Sequence, residues 1–334
     1  MADDIYSSVL GASVFWSYIV AALAFTAICI NVIRTITPPP NPSSSRARLL
    51  FTILAVFSFC TLSYHMLNVL ILSYRTWSQS RSVPLPACFI GPGCLIGNGR
   101  QSLHMWEWSK TSTLFQDFGI ALTLGSDRWV WANASLAMTF TRVAFMCIRG
   151  WQAKVPHLWA FMALAEILPI SFAQNLMYLA LLGTSTKQDR AIPGTLMTWL
   201  LSGLGYLACL LFAPSAGQQI IYVILVARIL LAVPFLTRAA SSAQHSKPSK
   251  LNGTISAINA LVILVVAVQA LLVASPFSGH FLPDIYNALV GLDSHPAVSA
   301  LGYDFLISAL SSACWTLADP VAGILPHKSG KVKD

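Results

Sequence analysis

Long apolar runs alternate with short polar links along this chain, and the run lengths predict helices that cross a bilayer. A hydrocarbon core roughly 30 Å thick takes about 20 apolar residues as a helix. One such run extends from about Val14 to Ile36, and others cover about 49–74, 129–149, 157–182, 193–214, 220–237, 255–275 and 299–324. The segment 105–124 differs, because Trp106, Trp108 and Asp117 interrupt it; it predicts an amphipathic helix that lies at the interface or re-enters. Pro38, Pro39 and Pro40, with the Ser-rich link through Arg48, separate the first two runs. Trp, Tyr, His and Arg gather at the ends of the runs, as interfacial anchors do. The predicted fold is an all-α, polytopic membrane helix bundle. It has about eight transmembrane helices plus one interfacial or re-entrant amphipathic helix, in a single integral membrane domain over 1–334. No basic n-region precedes the first run, which is long enough to stay as an anchor, so no cleaved signal is expected.

Composition agrees with this reading. Hydrophobic residues make up 56% of the 334 and charged residues only 10%, against roughly 25% charged in a soluble domain. The net charge of +8 is spread through the links rather than gathered on one face, which argues against nucleic acid as a partner. Sidedness stays open. With eight crossings the basic links near Arg46 and Arg149 fall on one side, and those near Lys187, Lys247 and Lys331 on the other. No internal repeat is visible, which argues against two-fold transporter architectures. Cys29, Cys60, Cys147, Cys209 and Cys314 lie in apolar runs and read as small hydrophobes. Cys88 and Cys94 flank a loop and could close a small disulfide in an oxidising compartment.

Ionisable groups at membrane depth are costly, and each is a functional candidate. In the last run a helical advance of 100° per residue puts Asp304, Ser308, Ser311, Trp315 and Asp319 on one stripe. The second run aligns Ser58, Thr61, His65 and Asn68, and the third aligns Arg128, Trp131, Ser135, Thr139 and Arg142. Glu166 precedes the break expected near Pro169, with Gln174 further along. Plainer readings stand beside these. Hydroxyl and amide stripes often hold transmembrane helices together, and His65 can serve packing alone. Arg128, Arg142 and Asp319 sit near run ends, where snorkelling or capping suffices, and Trp131 and Trp315 can be belt or packing residues. Carboxyls such as Glu166 and Asp304 are harder to explain structurally, because a buried anion is expensive.

Absent motifs narrow the chemistry. There is no Asp-rich pair suited to magnesium and diphosphate, no His-Glu-x-x-His, no phosphate loop and no Gly-x-Ser-x-Gly elbow. Acid chemistry in an apolar cavity remains: a buried carboxyl that keeps its proton can act as a Brønsted acid, and aromatic faces stabilise passing positive charge.

Four stretches sharpen this: Phe115-Gln116-Asp117-Phe118-Gly119, Asp127-Arg128-Trp129-Val130-Trp131, Val155-Pro156-His157-Leu158-Trp159-Ala160, and Ile167-Leu168-Pro169-Ile170-Ser171-Phe172-Ala173-Gln174-Asn175. With them the chain resembles the fungal membrane-bound terpene cyclases of meroterpenoid biosynthesis, of the ascofuranone- and macrophorin-pathway type. The likeness covers about the middle third, and the remainder only by helix pattern. Val130, Ala132, Asn133 and Glu166 depart from the expected pattern.

The resemblance implies metal-independent and cofactor-free cyclisation of a farnesyl chain attached to an aromatic ring, in a multi-pass protein of the endoplasmic reticulum. The reaction would start by protonation of an epoxide or a terminal alkene. The depth argument names Asp117, Glu166 or Asp304 as donor, oriented by His65 or Gln174. Trp106, Trp131 and Trp315 would line the cavity, with Arg128, Gln174, Asn175 and Asp319 completing substrate contacts. A prenylated aromatic and membrane lipids are the expected partners. The rival reading is a proton- or cation-coupled transporter that uses the same acids as a relay.

Overall fold

The structure is a computed structural model that describes residues 9–36, 42–83, 103–184, 196–236, 286 and 289–318. Among these residues every regular element is helical and no strand occurs. In chain order the helices are α1 (Val9–Thr35), α2 (Pro42–Ser80), α3 (Met105–Thr111), α4 (Leu114–Thr123), α5 (Ser126–Gln152), α6 (Leu158–Ile167), α7 (Ile170–Gly183), α8 (Leu196–Phe212), α9 (Ile220–Leu236) and α10 (Pro296–Ala318). Two 3₁₀ turns, Ala213–Ser215 and Gly217–Gln219, link α8 to α9.

Five helical stretches are long and apolar enough to cross a bilayer: Gly11–Thr35, Ser45–Ser80, Met197–Ser215, Gly217–Phe235 and Pro296–Leu317. Their large apolar side chains, such as Leu23, Val56, Leu204, Ile229 and Leu310, point outward and stay uncovered. That pattern suits lipid rather than water as solvent. The count of about eight spans is therefore met only in part, for local reasons. The run 129–149 forms a 27-residue helix, but Asp127, Arg128, Arg142 and Arg149 lower its apolarity. The run 157–182 is two short apolar helices, because Pro169 has no N–H to continue α6 and Leu168 before it is extended at φ −105°, ψ 171°. The run 255–275, Cys88, Cys94 and Asp319 lie outside the described residues.

The 105–124 segment also divides. Ser112 is extended, its hydroxyl accepts the Leu114 amide at 3.1 Å, and α4 starts afresh. α3 docks on the end of α2: Trp77 Nε1 donates to Thr111 Oγ1 at 2.8 Å, the His104 amide donates to the Tyr74 hydroxyl at 3.2 Å, and Trp108 packs edge-on against Phe15 of α1. At 39 residues α2 is about 58 Å long, well beyond the hydrocarbon thickness, so this aromatic cluster belongs to one membrane face.

The core is a three-helix seam of α2, α7 and α10, backed by α5. Residue pairings set its directions. Ile170 and Ser171 meet Asp304, Gln174 meets Ser308 and Ser312, and Tyr178 meets Trp315, so α7 and α10 run side by side in the same sense. Ser58 meets Ser171 and Phe51 meets Tyr178, so α2 runs opposite to both.

Just before α10, the Ala297 amide donates to His295 Nδ1 at 3.1 Å, a bond that only the unprotonated nitrogen accepts. Burial, and then the Arg128 guanidinium nearby, hold the His295 imidazole below the usual histidine range. A depressed histidine stabilises the fold fully above its unfolded value near 6.5 and loses that contribution as pH falls below it. Thermal unfolding in detergent should therefore come at lower temperature at about pH 5.5 than at about pH 7.5, and His295→Gln should shrink the difference.

Candidate active site

Pro169 starts the site. A helix that begins inside a membrane leaves its first amides without partners, and no water is there to meet them. In α7 the side chain of Asp304 meets two of them: the Ile170 amide donates to one carboxyl oxygen at 3.1 Å, and the Ser171 amide to the other at 2.9 Å. A negative group at a helix N-terminus is also favoured by the helix dipole. The Ser171 and Ser58 hydroxyls share a hydrogen bond of 2.5 Å, which ties α2 to the same point.

Asp304 is buried, and among the described residues it forms no ion pair. It lies in the floor of a shallow cleft with Ser58, Ser171, Ala300 and Ile307. The rim is Thr61, Leu62 and Pro169, all part-exposed, so the cleft opens on the flank of the bundle. The cleft is too narrow to hold a water molecule, so a ligand reaches Asp304 only where the rim parts.

Below the cleft the seam is polar and tightly bonded. Gln174 Nε2 donates to the Tyr178 hydroxyl at 2.8 Å and to Ser312 Oγ at 2.9 Å, while Ser308 donates to Gln174 Oε1 at 2.5 Å. Asn175 donates to the Ser171 carbonyl at 2.8 Å, but among the described residues its buried Oδ1 has no partner, and neither has buried Ser311 Oγ. Tyr178 and Trp315 stack at 4.4 Å with 7° between the rings, with Phe51 and Phe145 against them. Gln174→Leu removes both halves of this network and leaves the Ser308 hydroxyl without its acceptor, while Ser312 still donates to the Ser308 carbonyl at 2.7 Å. A loss of about 1–3 kcal/mol is expected in reversible denaturant unfolding, with near-unchanged stability for Asn68→Leu, whose side chain is only half-buried.

The structure brings together some of the residues singled out by sequence and separates others. Asp304, Gln174, Asn175 and Trp315 share the seam with Ser58, Ser308 and Ser311, and the stripe read on the last run is buried as far as Trp315. Neither Gln174 nor His65 orients the acid. Gln174 is taken up by α10 hydroxyls, and His65 stacks on Tyr303 at 5.1 Å, whose hydroxyl donates to Asp293 at 3.4 Å. The backbone amides of Ile170 and Ser171 hold Asp304 instead.

Asp117 is not a deep acid. It is exposed in the first turn of α4, where Thr113 Oγ1 donates to it at 2.6 Å. Trp106 is 48% exposed on α3 and lies away from the seam. Trp131 packs near Phe305, at 6.4 Å, and Gly302, on a face of α10 turned at least 100° from Asp304. Arg128 lies beside His295, near the start of α10. Glu166 is paired rather than alone: Arg228 Nη1 lies 3.2 Å from its Oε2. Contact with a full positive charge favours the anion of Glu166, as the two amides favour that of Asp304 to a lesser degree.

Two participants escaped the sequence reading. Ser171 was visible only as part of a motif, and its role depends on the helix break. Arg228 had a plain signal: it stands at the centre of α9, a 17-residue helix with no other charged residue. Among the described residues no three His, Cys, Asp or Glu side chains converge as a metal-binding group. Comparison with known protein families, curated proteins and solved structures finds no match to this chain.

Proposed function

We propose that this protein is a multi-pass membrane enzyme of the endoplasmic reticulum that cyclises the farnesyl chain of a prenylated aromatic, with Asp304 as the proton donor. The observation that carries the reading is a buried carboxyl, with no ion-pair contact among the described residues and only the more distant charge of Arg228 acting on it, set at a helix N-terminus beside a shallow cleft on the bundle flank. The likeness to fungal membrane-bound terpene cyclases supports it.

The geometry suits the chemistry. Each carboxyl oxygen accepts one amide and the Ser171 hydroxyl also bonds to the carboxyl, which leaves one lone-pair position for the proton. Asp304 passes its proton to an epoxide oxygen, or to the terminal carbon of an alkene, and a tertiary cation forms. Successive alkenes attack to close rings, and loss of a proton beside the final cation makes the reaction a net isomerisation. The carboxylate left behind is held by the α7 amides and dipole, which are already in place before the proton moves. A lipid-soluble chain would enter from the flank past Thr61 and Leu62, its reacting end in the cleft. Phe172, next to Ser171, supplies a ring near the acid.

The test is incubation of membranes containing the protein with epoxidised and unepoxidised farnesylphenols. Cyclic product absent from control membranes supports the reading. Recovery of unchanged substrate from both rejects it. The helix break at Pro169 also favours a second reading, since interrupted helices often mark transporter sites. A pH-driven uptake into liposomes without chemical change in the solute would establish that instead.

A further inference from the structure

Arg228 is bound less completely than its position demands. Placing a guanidinium midway along an apolar helix is costly unless its donors are met. Arg228 has five N–H donors, and among the described residues its one hydrogen bond is the 3.2 Å contact from Nη1 to Glu166 Oε2. A structural Arg–carboxylate pair usually uses two parallel bonds. This one leaves Glu166 Oε1 and most of the guanidinium unused. The side chains of Arg228 and Glu166 are 38% and 24% exposed, so the pair can be reached.

Its surroundings are aromatic and already committed. Tyr18 and Tyr206 lie within electrostatic range of the pair, but the Tyr18 hydroxyl donates to the Ile167 carbonyl and that of Tyr206 to the Leu136 carbonyl. Neither hydroxyl proton is free for the pair. The site therefore offers several donors and one carboxylate acceptor.

We propose that Arg228 and Glu166 bind the oxygenated ring of the prenylated aromatic, the guanidinium donating to a ring oxygen and Glu166 accepting a ring hydroxyl. The inference rests on the cyclase reading for the identity of the chain attached to that ring. Spacing supports it. Glu166 lies four residues before Ile170, whose amide is on Asp304, so the two backbone positions are at most about 14 Å apart. One folded isoprenoid chain can have its ring at the pair and its far end at the acid.

Equilibrium binding to the purified full chain in nanodiscs tests this with a labelled farnesylphenol and the corresponding farnesylbenzene, which lacks the ring oxygen. The phenol is expected to bind at least about tenfold tighter to the natural protein, a margin set by one or two charged hydrogen bonds. The preference should vanish in the Glu166→Gln/Arg228→Gln double variant, which leaves no unpaired charge, and persist in Asp304→Asn. Near-ultraviolet circular dichroism verifies the fold of each variant. Equal binding of the two ligands by the natural protein overturns the proposal, as does a preference that survives in the folded double variant. A ring-oxygen preference without cyclisation would leave this site standing and reject the cyclase reading.

Discussion

Asp304→Asn should lower cyclisation by about 10²- to 10⁴-fold, the range over which a positioned general acid acts, while the protein still inserts and folds. The amide is nearly the same size as the carboxyl but has no acidic proton. It also replaces one acceptor oxygen with an NH₂ group, which then faces either the Ile170 or the Ser171 amide, donor against donor. That clash should cost about 1–3 kcal/mol of stability, visible as an earlier midpoint in detergent denaturation. Asp304→Glu separates the two effects. It keeps the proton but adds a methylene in a packed floor, so it should retain a measurable fraction of turnover where Asn does not. A variant protein that is folded, less stable and equally active would show that Asp304 only caps α7.

Trp315→Ala should be the most destabilising single change in the seam, at about 3–5 kcal/mol. Trp315 is 8% exposed and stacks on Tyr178, and its ring also meets Phe51 of α2 and Phe145 of α5. Removing the indole opens a void where four helices meet. It also frees Tyr178, the hydroxyl of which helps to fix Gln174. Trp315→Phe should recover much of the loss, because a smaller ring can still lie on Tyr178. The measurement is the thermal unfolding midpoint of purified protein. Turnover by the folded fraction should fall much less than in Asp304→Asn, since Trp315 is eleven residues, about 16 Å, along α10 from the acid.

The apolar runs were readable because lipid imposes a simple demand, about 20 apolar residues per crossing. The α1, α2, α8, α9 and α10 runs satisfy it. The buried stripe on α10 was readable for a similar reason: helical geometry fixes which residues share a face, and Asp304, Ser308, Ser311 and Trp315 are all buried. Partners across helices were not readable. Nothing local to Glu166 announces Arg228, which lies 62 residues away. Nothing local to Asp304 announces that amides 133 and 134 residues earlier will hold it. The Pro169 break was foreseen from the missing N–H, yet its consequence was not, because the break matters through the amides it exposes and those require another helix. Asp117 misled because an acid among apolar residues resembles a buried one until the Thr113 contact at the helix start is seen.

Cyclisation in deuterated buffer tests the central claim most directly. Purified protein in nanodiscs should convert an unepoxidised farnesylphenol into a cyclic isomer with one carbon-bound deuterium, delivered through the exchanged carboxyl of Asp304, and Asp304→Asn should give almost none. Recovery of uncyclised substrate from the natural protein, whether the chain is epoxidised or not, or equal deuterated product from the folded Asp304→Asn variant, would contradict the account.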